Sequence, residues 1–221
     1  APSGNYVLNR NVKTPHSTSP YFITNGVQII GDGASTIFTR NDSSPATYIL
    51  TADGLSTTQE SDTANQNESV FSVHSPYTKI SDLSISNSKI GIYLGQDFAW
   101  QFTSLSNVSK SNFQRININK CGTGMLYLAA GGNHYTNVSN IHFMSCQIDV
   151  DMRSSYWWKV TQSRGDSNNN RNTFVGNRHA RSKIGALIRC GDTNNFISCH
   201  AETVTPTTSN PFTMPLYIPS D

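Results

Sequence analysis

Residues 79–95 read KISDLSISNSKIGIYLG, and residues 113–129 read FQRININKCGTGMLYLA. Set above one another, both alternate apolar and small polar residues, pass through a polar turn and resume as a second apolar strand. Ile85 falls on Ile118, Ser88 on Cys121, and 90–94 on 124–128. A third copy, VSNIHFMSCQIDVDM at residues 138–152, brings Phe143 to the apolar position and Cys146 three residues later. NTFVGNRHA and NNFISCHAE supply two shorter copies, anchored by Phe174 and Phe196. The anchors Ile85, Ile118, Phe143, Phe174 and Phe196 stand 33, 25, 31 and 22 residues apart, so the shortest interval is the bare repeat and the longer ones carry loops. Self-similarity at such a period marks a solenoid, whose repeats bury their apolar faces against their neighbours.

Composition agrees. Charged residues make up only 14% of the 221, while Ser, Thr, Asn and Gly abound, and these weaken helices. The expected fold class is all-β, with short strands hydrogen-bonded to the equivalent strands of the repeats on either side. Residues 1–202 form one domain, from which the polar stretch 51–69 projects as a loop. The Pro-rich 203–221 cannot continue regular pairing and serves as a cap or a linker onward.

A formal charge of +2, with no long run of Lys or Arg, is too small for a nucleic-acid footprint. The basic cluster over 171–183 is interleaved with Asn and Gly and reads as a solvated loop face. No stretch approaches a membrane span and no signal peptide is visible, although the first residues look like the middle of something from which an upstream part was removed. Cys121, Cys146, Cys190 and Cys199 show no CxxC pair and no zinc-finger spacing, so no metal or other cofactor is expected. Cys121, Cys146 and Cys199, with Ser88 and Asn177, align as one column of small inward residues, which makes them reduced packing thiols.

The N-terminal segments APSGNYVLNRNV and NGVQIIGDGASTIFTR carry a resemblance. Pro2-Ser3-Gly4-Asn5-Tyr6, followed by Ile30-Gly31-Asp32-Gly33-Ala34-Ser35-Thr36-Ile37, resembles the entry to the right-handed parallel β-helix of the pectate-lyase-like superfamily, especially bacteriophage tailspike and tail-fibre depolymerases. Gly31 and Gly33 suit a turn needing positive φ. A phosphate-binding loop is set aside because no Lys-Ser/Thr and no helix follow. The resemblance implies a virion-tail protein, assembled in the host cytoplasm as a homotrimer, that binds and often cleaves a bacterial capsule or O-antigen polysaccharide. The polygalacturonase signatures and a pectate-lyase calcium-and-arginine constellation are missing, which excludes plant pectin as the expected substrate. The capping strand and helix usual at the start are also missing.

Three carboxylates are the candidate acid/base residues: Asp149, Asp151 and Glu202. On the repeat, Ile148, Val150 and Met152 overlie Ile90, Ile92 and Leu94 and point inward, leaving Asp149 and Asp151 outward and about 6.5–7 Å apart. That spacing admits the water of an inverting glycosidase, which needs ~6.5–9.5 Å. Any alternating strand with two outward aspartates meets the same condition, so a solvated sheet face stands beside it. Tyr93 and Tyr127 are expected to overlie Asp151. With Arg189, Asp192 and Trp157 they make a candidate sugar-binding stripe, because flat rings cover pyranose faces while charged groups meet hydroxyls. Cross-strand stacking or a subunit contact explains the stripe equally well. Glu202, beside His200, is the best single general acid if burial raises its pKa. His74, His134, His142, His179 and His200 show no ligand spacing and read as structural. The tripeptide at 164–166 and the sequons at Asn41, Asn67, Asn107 and Asn137 carry little weight. Two functions therefore remain beside a depolymerase: a non-catalytic structural or adhesin β-helix, and a secreted polysaccharide lyase.

Overall fold

The computed structural model describes residues 1–14, 26–40, 49–51, 54–56, 68–95, 108–129, 135–154, 170–188, 193–202 and 214–217. Four strands open the chain: β1 (Gly4–Leu8), β2 (Val12–Lys13), β3 (Gln28–Ile30) and, after a 3₁₀ turn over Gly33–Ser35, β4 (Thr36–Arg40). A short antiparallel pair follows, β5 (Ile49–Thr51) with β6 (Gly54–Ser56). The repeats come next. The first holds β7 (Ser69–Val73), β8 (Lys79–Ser86) and β9 (Ile90–Gly95), and the second β10 (Asn112–Asn119) and β11 (Thr123–Ala129). The third holds β12 (Asn137–Ser139), β13 (His142–Met144) and β14 (Ile148–Ser154). The fourth has β15 (Thr173–Val175), β16 (Arg178–Ala180) and β17 (Ile184–Ile188), and the last β18 (Asn195–Ile197), β19 (His200–Glu202) and β20 (Met214–Tyr217).

The chain alternates between two parallel sheets. Among the described residues sheet A has 11 strands, running β1-β4-β8-β10-β12-β15-β18 with β3, β13, β16 and β19 beside this path, and sheet B has 7, in the order β2-β7-β9-β11-β14-β17-β20. Each repeat thus pairs with the same elements of its neighbours, an arrangement compatible with a parallel β-helix. Among the described residues no helix is long and apolar enough to cross a membrane.

Like residues stack along the pairing direction because parallel strands set equivalent positions one above another. On sheet A, Ile80, Phe113, Val138 and Phe174 form one buried column, and Phe38, Ile85, Ile118 and Phe143 another. On sheet B, Phe71, Ile92, Met125 and Val150 face them, beside Val73, Leu94, Tyr127 and Met152. Each such side chain contributes about 1.5–3 kcal/mol when fully buried.

The expected intervals of 33 and 25 hold, since Ile118 pairs Ile85 and Phe143 pairs Ile118. The step to Phe174 does not. Phe174 pairs Val138, and the residue opposite Phe143 is His179, 36 residues on. Phe174 and Phe196 stack at 4.6 Å in that other column. The thiol column is corrected with it: opposite Cys146 stands Ser182, whose hydroxyl accepts the Cys146 N–H at 3.2 Å, while Asn177 and Cys199 lie at a different corner. Nor does the C-terminal stretch abandon pairing, because Met214–Tyr217 extends sheet B along Ile184–Leu187. Pro215 is tolerated there because the ladder skips its position.

The corners explain how so few glycines suffice. Tyr77, Lys110, Tyr135, Arg171 and Thr193 have φ of 50 to 57° and stack at one corner; Asp82, Arg115, Asn140, Gly176 and Ser198 (φ 51 to 62°) define a second, and Asn87, Lys120, Ser145 and Arg181 (51 to 58°) a third. A left-handed non-glycine residue costs roughly 1–2 kcal/mol. Ladder hydrogen bonds offset that cost: the Asn87, Lys120 and Ser145 N–H groups donate to the Asn119, Met144 and Ala180 carbonyls at 2.9–3.1 Å. Arg115 and Asp82 add an ion pair at the second corner, and Lys110 lies over the Tyr77 ring at the first. Gly33 has φ of 77°, as expected, but Gly31 does not need positive φ: a Cβ there would stand 2.2 Å from the Asp82 carbonyl oxygen.

The N-terminal motif is knitted into this stack. Gly4 of β1 pairs Thr36 of β4, the Thr36 hydroxyl accepts the Asp32 N–H at 2.8 Å, and Tyr6 stacks on Phe38 at 5.0 Å.

Candidate functional site

The candidate carboxylates separate. Val150 and Met152 enter the core as expected, in register with Ile92 and Leu94 through Met125 and Tyr127. Asp149 and Asp151, however, are not outward and solvated: their exposures are 0% and 2%. The ladder skips Gly91, Gly124, Asp149 and Gly185, so strict alternation fails at this column. A Cβ on Gly124 would stand 2.8 Å from the Phe143 ring, and one on Gly91 3.3 Å from Ile118, so the column points at the core. Asp149 accordingly meets His179, Oδ2 to Nδ1, at 2.9 Å. Burial pushes its carboxyl up, against the hydrogen bond from His179. Asp151 lies in register with Leu126, Leu187 and, through Leu126, Tyr93.

Tyr93 and Tyr127 are equally unavailable as sugar platforms, both being fully buried. Tyr93 packs with Ile90, Leu126 and Leu128 in a separate apolar cluster. Tyr127 pairs Met152 and Leu94, one residue out of the expected register, which turns it into the core. Its hydroxyl lies 3.2 Å from Thr136 Oγ1, and burial raises its phenol pKa. Trp157, Arg189 and Asp192 lie outside the described residues, as do Cys190 and most of 51–69.

Glu202 is exposed at the end of β19, but its environment opposes the role of general acid. Arg178 and, at 3.5 Å, His200 pair with its carboxylate and hold it below the usual range. A general acid at neutral pH needs the opposite shift.

The outer face of sheet A carries the feature that sequence reasoning missed. A cavity of about 430 Å³ opens there, lined by Ser84, Asn117, Asn119, Lys120, His142 and Met144, with Ala34 and Ile37 on its N-terminal side. Three successive repeats build it: Ser84, Asn117 and His142 are one column, Ser86, Asn119 and Met144 the next. These columns continue to Arg178 and His200, and to Ala180 and Glu202. The Ser84 hydroxyl donates to the Ala34 carbonyl at 2.8 Å and receives the Asn117 amide at 3.4 Å, fixing the rim. Asn119 Oδ1 and His142 Nε2 have no hydrogen-bond partner among the described residues. Burial, then the nearby Arg178 charge, lower the His142 pKa and keep its ring neutral at pH 7. The lining therefore offers neutral donors and acceptors, and the Lys120 ammonium, beside the apolar surfaces of Ile37 and Met144.

Among the described residues, no three His, Cys, Asp or Glu side chains converge closely enough to hold a metal ion. Cys121, Cys146 and Cys199 are free thiols. No family model matches the chain, and no curated protein matches it either.

Proposed function

We propose that the chain is a segment of right-handed parallel β-helix from a tailspike-like receptor-binding protein, and that the sheet A cavity binds a bacterial surface polysaccharide. Parallel pairing of successive repeats and the stacked left-handed corners support the fold. The observation that carries the binding reading is the cavity itself, where Ser84, Asn117, Asn119 and His142 meet Ile37 and Met144. Sugars present the matching chemistry, with hydroxyls for the polar groups and C–H faces for the apolar ones. Equivalent side chains recur about 4.8 Å apart along the sheet, which suits a chain of repeating units lying along it.

This reading favours recognition over hydrolysis. Asp149 is committed to a buried pair, Asp151 is buried, and Glu202 is ionised against Arg178. The test is retention of the protein on immobilised capsule and O-antigen polysaccharides from a strain panel, with reducing ends followed in the same samples. Specific retention without new reducing ends is the expected result. Retention by none of the panel defeats the binding reading, and steady release of reducing ends defeats its non-catalytic part.

A further inference from the structure

The cavity on sheet A has no carboxylate in its lining and a single ammonium, that of Lys120. Lys120 stands at the third corner, where the repeats set Asn87, Lys120, Ser145 and Arg181 one above another. The Lys120, Ser145 and Arg181 N–H groups donate to the Met144, Ala180 and Glu202 carbonyls of the repeat that follows each. Lys120 and Arg181 are exposed, and among the described residues neither side chain has a hydrogen-bond or ion-pair partner. Their backbones are two strand spacings apart, about 9.4–9.8 Å. The other charged side chains around the cavity are matched: Arg178 pairs with Glu202, Arg115 with Asp82 and Lys89 with Glu68. At the N-terminal rim the Asp32 carboxylate accepts the Ser3 hydroxyl at 3.1 Å. Lys120 and Arg181 therefore leave a positive edge along the third corner. Beside it, Asn119 Oδ1 and His142 Nε2 have no hydrogen-bond partner among the described residues.

We infer, on the reading that the cavity binds a polysaccharide, that this polysaccharide is acidic, its sugar carboxylates lying against Lys120 and Arg181 and its hydroxyls in the cavity. A neutral glycan gains nothing from the two cations, whereas a carboxylate gains a charge-assisted hydrogen bond at each. Arg181 offers a planar fork that matches both oxygens of a carboxylate, and Lys120 a mobile point charge with three donors. Asn119 Oδ1 can only accept, so it calls for a hydroxyl, and His142 Nε2 takes a second one. Carboxylates and hydroxyls on one frame are the chemistry of a uronic-acid type of sugar. A polymer with acid groups on successive units engages both cations, and its second contact forms at high effective concentration. Because both charges are exposed, this part of the binding weakens as salt rises.

The experiment measures the affinity of the wild type, of Lys120→Gln/Arg181→Gln and of Asn117→Trp for a panel of capsule and O-antigen polysaccharides. Each acidic member is also offered with its carboxyl groups reduced to alcohols, and heavily sulfated dextran, with few hydroxyls left for Asn119 and His142, serves as a bare polyanion. The wild type is expected to bind acidic members, and about tenfold more weakly once their carboxyls are reduced. The double variant is expected to bind native and reduced forms alike. Undiminished affinity after reduction, retention by neutral members alone, or a folded double variant that matches the wild type on the native polymer overturns the acidic assignment. So does equal affinity for the sulfated dextran, which would reduce the effect to adsorption of any polyanion. Carboxyl reduction alters the ligand alone, so it decides even where the double variant does not fold. Asn117→Trp, which fills the cavity, separates the two readings: its loss of binding to neutral and acidic members alike keeps the cavity as the site when the acidic assignment fails. Binding of no polysaccharide, native or reduced, defeats the cavity reading and the acidic assignment with it.

Discussion

Asp149 meets His179 at 2.9 Å in the two columns where, one repeat earlier, the bare Cα of Gly124 faces the Phe143 ring. A carboxylate and an imidazole thus fill a volume that elsewhere holds one aromatic ring, and they do so inside the core.

That exchange makes stability depend on pH. His179 titrates near 9 when folded and near 6.5 when unfolded, so its contribution is complete below pH 6.5 and disappears as pH rises through 9. Burial raises Asp149 as well, which acts in the same sense. Urea midpoints at pH 6 and 9 are expected to show the wild type losing about 2–3 kcal/mol more than Asp149→Gly/His179→Phe. Equal losses would remove the pair from the account.

Gly124→Ala tests the close approach itself. The new methyl would stand 2.6 Å from the Asp149 carbonyl oxygen and 2.8 Å from Phe143 ring carbons, all in packed surroundings. The expected cost is at least about 1–3 kcal/mol in urea unfolding. A neutral substitution would mean that the column does not point inward.

The corners supply a test of backbone strain. Asn140 has φ of 53°, where a β-branched residue fits poorly. Asn140→Val should cost about 1–2 kcal/mol and Asn140→Gly should lie within about 0.5 kcal/mol of the wild type. Equal effects of the two would argue against the left-handed corner.

At the neighbouring position the ion pair of Arg115 with Asp82, 2.8 Å from Nη2 to Oδ2, is largely solvated on the arginine side. Arg115→Ala is expected to leave the urea midpoint almost unchanged, and any change should shrink further in high salt. A larger, salt-independent loss would show that the pair braces the corner.

Much of the stack was legible in residues 79–146, because ladder pairing repeats apolar positions at fixed offsets. Legibility failed at Phe174, since two neighbouring columns both hold phenylalanines and the true successor of Phe143 is a histidine. It failed again at Asp149, where alternation was assumed through a column the ladder skips. Tyr127 shows the cost of such slips: one residue of misalignment carried it from the core to an imagined sugar-binding face. The left-handed corners were hidden because Lys120, Ser145 and Arg181, residue types that seldom take positive φ, occupy them. The cavity was hidden for a different reason. Its lining comes from three repeats and from the 3₁₀ turn, and only their adjacency creates it.

The central claim is that this cavity is where a polysaccharide binds. Calorimetric titration of a retained polysaccharide into the wild type and into Asn117→Trp, whose indole would fill the cavity, tests it most directly. The account predicts at least a tenfold loss of affinity, about 1.4 kcal/mol, with the urea midpoint little changed. Undiminished affinity in a folded Asn117→Trp protein would contradict it.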